Sequence, residues 1–398
     1  MVTGTGLLAY PWEFAIDPDA GQAIAGAGVG AVCVAGAYHA VRALRARGSR
    51  DGAPRVVDQP HAAAYWPVDA ARYPGRLAPA APPAPWADCA VAAVAACRAV
   101  GLGTGLWLSV LHSTRLATLA PDLALVNCFG DVYRHALCPA HDEVRAYAEA
   151  LVRDATDRLA PDWVELEAVG YHGFRHASLH DKAGVPVGDD TAYLLSLCFC
   201  PACRRLFTAW GGDPERLAAA VREEVRRRLA GSFGGDVDPE LDPAVRAELA
   251  LLAEVRDDVG AALVAAAASP VRAAGLPVVV HAGVSPTTVG SRSPLTPALG
   301  ALADAVVVST DGRDPADADD DIAAAVRGVA GGRDGGAAAA VLASVRAFPP
   351  DVAAEEQVRR RLTGAADAGA VGARVHTFGL ISDTQLRWVG SADPWRAA

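Results

Sequence analysis

The strongest constraint on the fold is a rhythm in which short runs, apolar on both faces, alternate with longer stretches of helical periodicity. The runs are Val29–Ala35, Ala62–Tyr65, Gly105–Val110, Asp162–Ala168, Leu276–His281, Ala303–Ser309, Val341–Ala347 and Ala373–Phe378. Between them, Trp86–Ala99, His141–Leu159, Pro214–Ala230, Pro243–Ala268, Pro294–Leu302, Ala316–Val329 and Val352–Ala368 repeat apolar residues at i, i+3 and i+4. Pro214 after Asp213, and Pro139 just ahead of His141, fit helix starts. A strand apolar on both faces must be covered on both, so helices between such strands predict a parallel sheet. About eight units predict an α/β chain closed into a (β/α)8 TIM-like barrel, with an open doubly wound sheet as the alternative. Val341–Ala347 also reads as an Ala-rich helix, and Ala62–Tyr65 is short for a strand.

One interval breaks the rhythm. Val169–Gly275 is far too long for a single strand-to-strand connection. We therefore expect one barrel domain over residues 1–398, with 169–275 forming a loop and helical insertion after the fourth strand.

The chain has 398 residues, 52% of them hydrophobic and 21% charged, which suits a globular protein with a large core. Its formal net charge of −10 argues against general nucleic-acid binding, which needs a dense positive surface. The only basic stretches are Arg42–Arg50 and Arg222–Arg228, and Lys182 is the only lysine. That bias matches GC-rich codon usage, so arginine frequency is weak evidence for phosphate binding. Met1–Pro11 has no secretory pattern, and the Ala-rich run Val259–Ala268 is too short to span a bilayer. A cytoplasmic protein acting on a small molecule, with no membrane or nucleic-acid partner, is the expectation; the oligomeric state is open.

In a barrel the C-terminal strand ends converge on one pocket, so the residues following each strand carry the functional argument. These include Tyr38 and His39, Trp66, His112, then Glu165 and Glu167, followed by His172, Arg175 and His176. Further on come His281, Asp311 and His376. Glu165 and Glu167 stand two apart on one strand and so share a face. Like charges held together would raise one pKa, as a general acid needs. Glu167, Asp311 and His281 are the catalytic candidates. Tyr38, His39, Trp66, His112, Glu165, His172, Arg175 and His376 are candidates for binding substrate. Two carboxylates flanking a glycosidic bond can serve as nucleophile and acid/base. The Asp311–Gly312 pair also reads as an ordinary polar turn.

Cys198, Cys200 and Cys203, in Cys-Phe-Cys-Pro-Ala-Cys, could give three thiolates to a structural zinc, with Cys138, Cys128 or a histidine as the fourth ligand. A redox pair or buried reduced thiols are the other readings. The proposed chemistry requires no cofactor. No glycine-rich nucleotide cradle, nucleophile elbow or HExxH motif is present.

The run Leu137–Glu143, the long helix after it, the acidic strand Trp163–Ala168 and the run Leu197–Cys203 resemble the uncharacterised glycosidase-like TIM-barrel proteins of bacteria. The resemblance covers roughly Asn127–Cys203, and the remaining strands only by their rhythm. It implies a carbohydrate or glycoside substrate and an essential carboxylate at the fourth strand end, here Glu167. Retaining barrels similar to α-galactosidases use a fourth-strand nucleophile and a sixth-strand acid/base, which would assign those roles to Glu167 and Asp311. The chain departs from that group in carrying Glu where Asp is usual. In another large set of glycosidase barrels the fourth-strand Glu is the acid/base and a seventh-strand Glu the nucleophile. Here the seventh run ends in Arg346–Ala347–Phe348 with no carboxylate. A glycoside hydrolase or related carbohydrate-processing enzyme leads, followed by a histidine- or metal-dependent lyase, isomerase or amide hydrolase, and then a non-catalytic sugar-binding barrel.

Overall fold

A computed structural model describes residues 3–47, 55–176, 181–231, 243–330 and 338–396. Arg50 of the first basic stretch and residues 177–180 of the loop after the fourth strand lie outside the described residues.

Eight parallel strands close into a barrel: β1 (Gly4–Ala9), β2 (Ala31–Tyr38), β3 (Gly103–Ser109), β4 (Trp163–Glu167), β5 (Val278–Gly283), β6 (Ala305–Ser309), β7 (Ala340–Arg346) and β8 (Gly372–His376). Closure is explicit, because β1 pairs in parallel with both β8 and β2. Helices cover the outside, and outward residues such as Val164, Leu166, Val280 and Val306 are fully buried under them. The continuous apolarity of the runs reflects this covering.

The strand count held through two offsetting differences. Ala62–Tyr65 contributes only Ala63–Ala64, which pairs antiparallel with the end of β2 and forms no barrel strand. The true first strand, Gly4–Ala9, opens Gly-Thr-Gly and has too few apolar side chains to register as a buried run. Asp162–Ala168 therefore remains the fourth strand.

Inside the barrel, alternation places Trp163, Glu165 and Glu167 of β4 inward. Trp163 can occupy the interior because Gly105 lies beside it on β3. A Cβ at Gly105 would come 2.1 Å from the indole ring.

After β4 the chain builds the expected helical insertion, through α1 (Asp189–Leu195), α2 (Pro201–Ala209), α3 (Pro214–Gly231) and α4 (Pro243–Ala273). The insertion has an apolar core of its own, formed by Leu194, Leu197, Phe207, Leu217, Val221, Val225, Leu252 and Val255. Helix α4 serves both cores. Its Leu252 and Val255 belong to the insertion, whereas Leu263, Val264, Ala267 and Val271 pack on the barrel. The last helix of the interval 169–275 is thus also the barrel's own crossover between β4 and β5.

The basic stretches are internally compensated. Arg45 pairs with buried Glu13, Arg47 with Asp17 and Asp383, and Arg227 and Arg228 with Glu224. Among the described residues, no helix is long and apolar enough to cross a membrane.

Candidate functional site

The inward residues of the barrel form two levels. At the lower level Glu165 is fully buried and fully engaged. It accepts hydrogen bonds from Arg374 of β8 and from Trp163 Nε1 (2.8 Å), and His281 Nε2 of β5 lies 3.1 Å from its other oxygen. Burial opposes its ionisation, but the Arg374 charge and the His281 contact outweigh burial and hold its pKa at about 2. Two adjacent strand glutamates predict a raised pKa for one of them. Neither is raised, because cationic and hydrogen-bonding partners surround both.

Glu167 forms the upper level. Its Oε2 accepts a 2.8 Å hydrogen bond from Trp107 Nε1 of β3. Burial again opposes ionisation, and attraction to His281, His39, Arg292 and His176 brings the pKa below the ordinary carboxylate value. Directly after it, Ala168 adopts a left-handed conformation (φ 55°), and its N–H donates to the carbonyl of Ser291. A non-glycine residue in that region costs about 1 kcal/mol or more, so the chain leaves β4 through a strained turn.

Asp311, just beyond β6, is gripped by arginines. Arg292 donates to its Oδ2 at 2.8 Å, and Arg346 of β7 stands 4.0 Å away. Burial raises its pKa, while His376, Arg292 and Arg346 together lower it below the usual value. His376, at the end of β8, experiences the charges of both Asp311 and Glu167 and so links the two sides of the mouth. Its Nε2 is buried with no hydrogen-bond partner among the described residues.

An aromatic and imidazole wall completes this level. Tyr38 meets Trp107 edge-on at 4.5 Å and stacks on His39 at 4.1 Å. His39 stacks on His112 at 4.5 Å, and His112 meets His172 at 4.3 Å and His176 at 5.4 Å. Burial lowers the pKa of His39 to about 4 and of His172 to about 3, and drives that of His112 well down. These are neutral rings at physiological pH, available for hydrogen bonds or metal coordination. One ligand atom from each of His39, His112 and His176 falls within 4.8 Å of the others, close enough to hold a metal ion. His39 Nδ1 donates to the Ala40 carbonyl at 2.7 Å, which leaves Nε2 as the free lone pair.

Most of the candidates from sequence therefore meet at one end of the barrel: Glu167, Asp311, His281, Tyr38, His39, His112, His172 and His376, with Glu165 beneath them. Two stand apart. Trp66 is fully buried outside the barrel wall, packs near Gly36 and donates from Nε1 to Asp154 at 2.8 Å. It follows the short antiparallel strand, not a barrel strand, and so does not reach the mouth. Arg175 turns to the insertion, where it binds Asp189 and the Val187 carbonyl. Sequence reasoning missed Trp163, Arg292 and Arg374. Trp107 is buried in the barrel core, and from there its indole N–H holds Glu167. The alternation along β4 and β8 was the available signal for Trp163 and Arg374, whereas no local pattern marks Arg292.

A second cluster lies beside the mouth. Cys198, Cys200 and Cys203 are joined by Cys138 from the segment after β3, and the four sulfurs lie within 4.8 Å of one another, close enough to hold a metal ion. All eight cysteines are free thiols. Cys128 belongs to the separate insertion core.

No protein-family model and no curated protein matches the sequence. Among solved structures, the β-galactosidase of the psychrophilic Marinomonas ef1 is similar at TM-score 0.56 and 11% identity, over 98% of this chain and 59% of that one. This chain thus spans about three-fifths of that enzyme. The catalytic domain of Paenibacillus polymyxa β-amylase is similar at TM-score 0.56 and 10% identity, over 99% and 100% of the two chains. The PgaB (BpsB) glycoside hydrolase domain from Bordetella bronchiseptica gives TM-score 0.54 and 14% identity, over 94% of each. At these identities the likeness is one of fold alone: the chain shares a (β/α)8 barrel with these proteins.

Proposed function

We propose that the protein is a carbohydrate-processing hydrolase that acts on a glycoside, with Glu167 as its acting carboxylate. The observation that carries this reading is Glu167 itself. It is an ionised carboxylate at the C-terminal end of the fourth strand, held among the described residues by a single indole hydrogen bond and surrounded by aromatic and imidazole groups. A carboxylate kept charged suits a nucleophile or base better than an acid. Glu167 attacks the anomeric carbon as the glycosidic C–O bond breaks and the leaving oxygen is protonated, and water then hydrolyses the glycosyl ester; Tyr38, His39, His112, His172 and His376 orient sugar hydroxyls. Asp311 is the partner carboxyl. Because Arg292 holds it as the anion, it must first take up a proton from solvent, and it can do so only when substrate draws the arginine away. Glu165 and His281 act together as the support beneath Glu167. The β-galactosidase, β-amylase and PgaB domains with similar barrels are the basis for the substrate class.

A second reading rests on the His39, His112 and His176 trio, which is suited to a metal that activates water for a lyase or amide hydrolase reaction. One experiment separates the readings. A panel of aryl glycosides is screened with and without chelator, followed by Glu167→Ala with added azide. Turnover insensitive to chelator, and a glycosyl azide formed by the variant, support the nucleophile. Full activity in Glu167→Gln rejects it. Turnover abolished by chelator and restored by metal favours the imidazole trio. Sugar binding without turnover leaves a binding protein.

A further inference from the structure

We propose that Cys138, Cys198, Cys200 and Cys203 form a tetrahedral zinc site that clips the insertion to the barrel. The argument is independent of which reaction the mouth performs. Zinc–thiolate bonds are about 2.3 Å, so the edges of a tetrahedral four-sulfur site are about 3.8 Å. The Cys138 sulfur lies 3.5 Å from Cys203, 3.7 Å from Cys200 and 3.8 Å from Cys198. A disulfide would need about 2.05 Å, so the sulfurs are spaced for a common ligand and not for bonding to one another. All four side chains are buried, with relative exposures of 0–5%.

The surroundings are those of a thiolate site. The backbone N–H of Val126 donates to Cys198 Sγ at 3.4 Å, and His141 Nε2 lies 3.5 Å from Cys200 Sγ. Pro201 opens helix α2 directly after Cys200, which places Cys203 in the first turn of a nine-residue helix, where its dipole favours negative charge. Four sulfur ligands in a tetrahedron select zinc, or iron of the single-ion kind, over harder metals.

The location suggests the role. Cys138 follows the hairpin segment after β3, whereas Cys198 and Cys200 lead into the insertion's second helix and Cys203 sits in its first turn. Tyr171 Oη lies 3.6 Å from Cys203 Sγ and immediately precedes His172 in the loop that carries His176. Zinc would therefore fix the insertion and the imidazole loop together against the barrel. Binding and folding of that region are then one equilibrium.

The test uses the untagged full-length chain, expressed in zinc-supplemented medium. Elemental analysis is expected to return about one zinc per chain, and X-ray absorption at the zinc edge a shell of four sulfurs at about 2.3 Å. Cys138→Ser and Cys203→Ser should each retain at least tenfold less zinc, whereas Cys128→Ser and His176→Ala keep it. Should the first two variants fail to fold, the absorption shell of the wild-type chain decides alone. Zinc below about a tenth of an equivalent, iron in its place, or a nitrogen-dominated shell would each overturn the assignment.

Discussion

Glu165 and Glu167 are both glutamates, on the same strand and facing the same way, yet they occupy chemically different places. Glu165 meets a guanidinium, an imidazole and an indole, and has no exposed surface. Among the described residues Glu167 has one indole donor, and its other neighbours lie around it without a hydrogen bond. A carboxylate whose lone pairs are filled inside a barrel is fixed in place and cannot meet substrate. One that remains charged with an unfilled oxygen is held ready for a further partner. Burial alone does not separate the two, since both are nearly inaccessible; the count of satisfied lone pairs does.

The largest effect expected from this contrast is on turnover. Glu167→Gln keeps the shape and the Trp107 hydrogen bond but removes the charge, and kcat should fall about 10³- to 10⁴-fold. Thermal unfolding should shift by no more than about 1 kcal/mol equivalent. A loss of stability as large as the loss of rate would erase the distinction between the two levels.

Arg374→Met tests the lower level. Removing one partner leaves Glu165 buried and undercompensated, which costs about 3–5 kcal/mol for broken buried pairs. His281 and Trp163 remain, so the lower half of that range is expected from urea unfolding. Glu165→Met combined with Arg374→Met should recover part of the loss, because an apolar pair needs no charge compensation.

The same pair dictates a pH dependence. The folded pKa of Glu165, about 2, lies below its ordinary 4.5, so the folded state binds the proton less readily than the unfolded chain. The stabilisation is complete above pH 4.5 and is lost as pH falls toward 2. The stability gap between wild type and Arg374→Met should therefore be constant above pH 4.5 and close below it. A gap that does not narrow in acid would mean that Arg374 acts through packing and not through charge.

How much of this was legible in the sequence follows from what each pattern encodes. Two-sided apolarity reports a covered strand directly, so seven of the barrel strands and the insertion were readable. Gly4–Ala9 was not, because glycines at its start replace the side chains that make a run visible. Strand-end position brought Glu167, Asp311, His281 and most of the histidines to one mouth. It misled at Trp66, where a two-residue strand outside the barrel imitated a barrel strand. Cys138 was only one of three options for the fourth ligand, since spacing along the chain cannot rank contacts made across 60 residues. Arg374 stayed hidden because an arginine facing a barrel interior is intelligible only once its glutamate, 209 residues away, is opposite it.

Arg175 gives the smallest expected effect and tests where the mouth ends. It lies between His172 and His176 in sequence, which made it a substrate-binding candidate, but its guanidinium pairs with Asp189 where both side chains are substantially exposed (41% and 92%). Exposed pairs of this kind contribute about 0–1 kcal/mol. Arg175→Ala should therefore change unfolding free energy by less than about 1 kcal/mol. Once a substrate is in hand, kcat and KM should each move less than about threefold, half a kilocalorie or so in transition-state terms. A tenfold rise in KM with kcat unchanged would show that the insertion reaches over the barrel to hold substrate. The functional boundary would then run through the helices after β4 and not around the barrel rim.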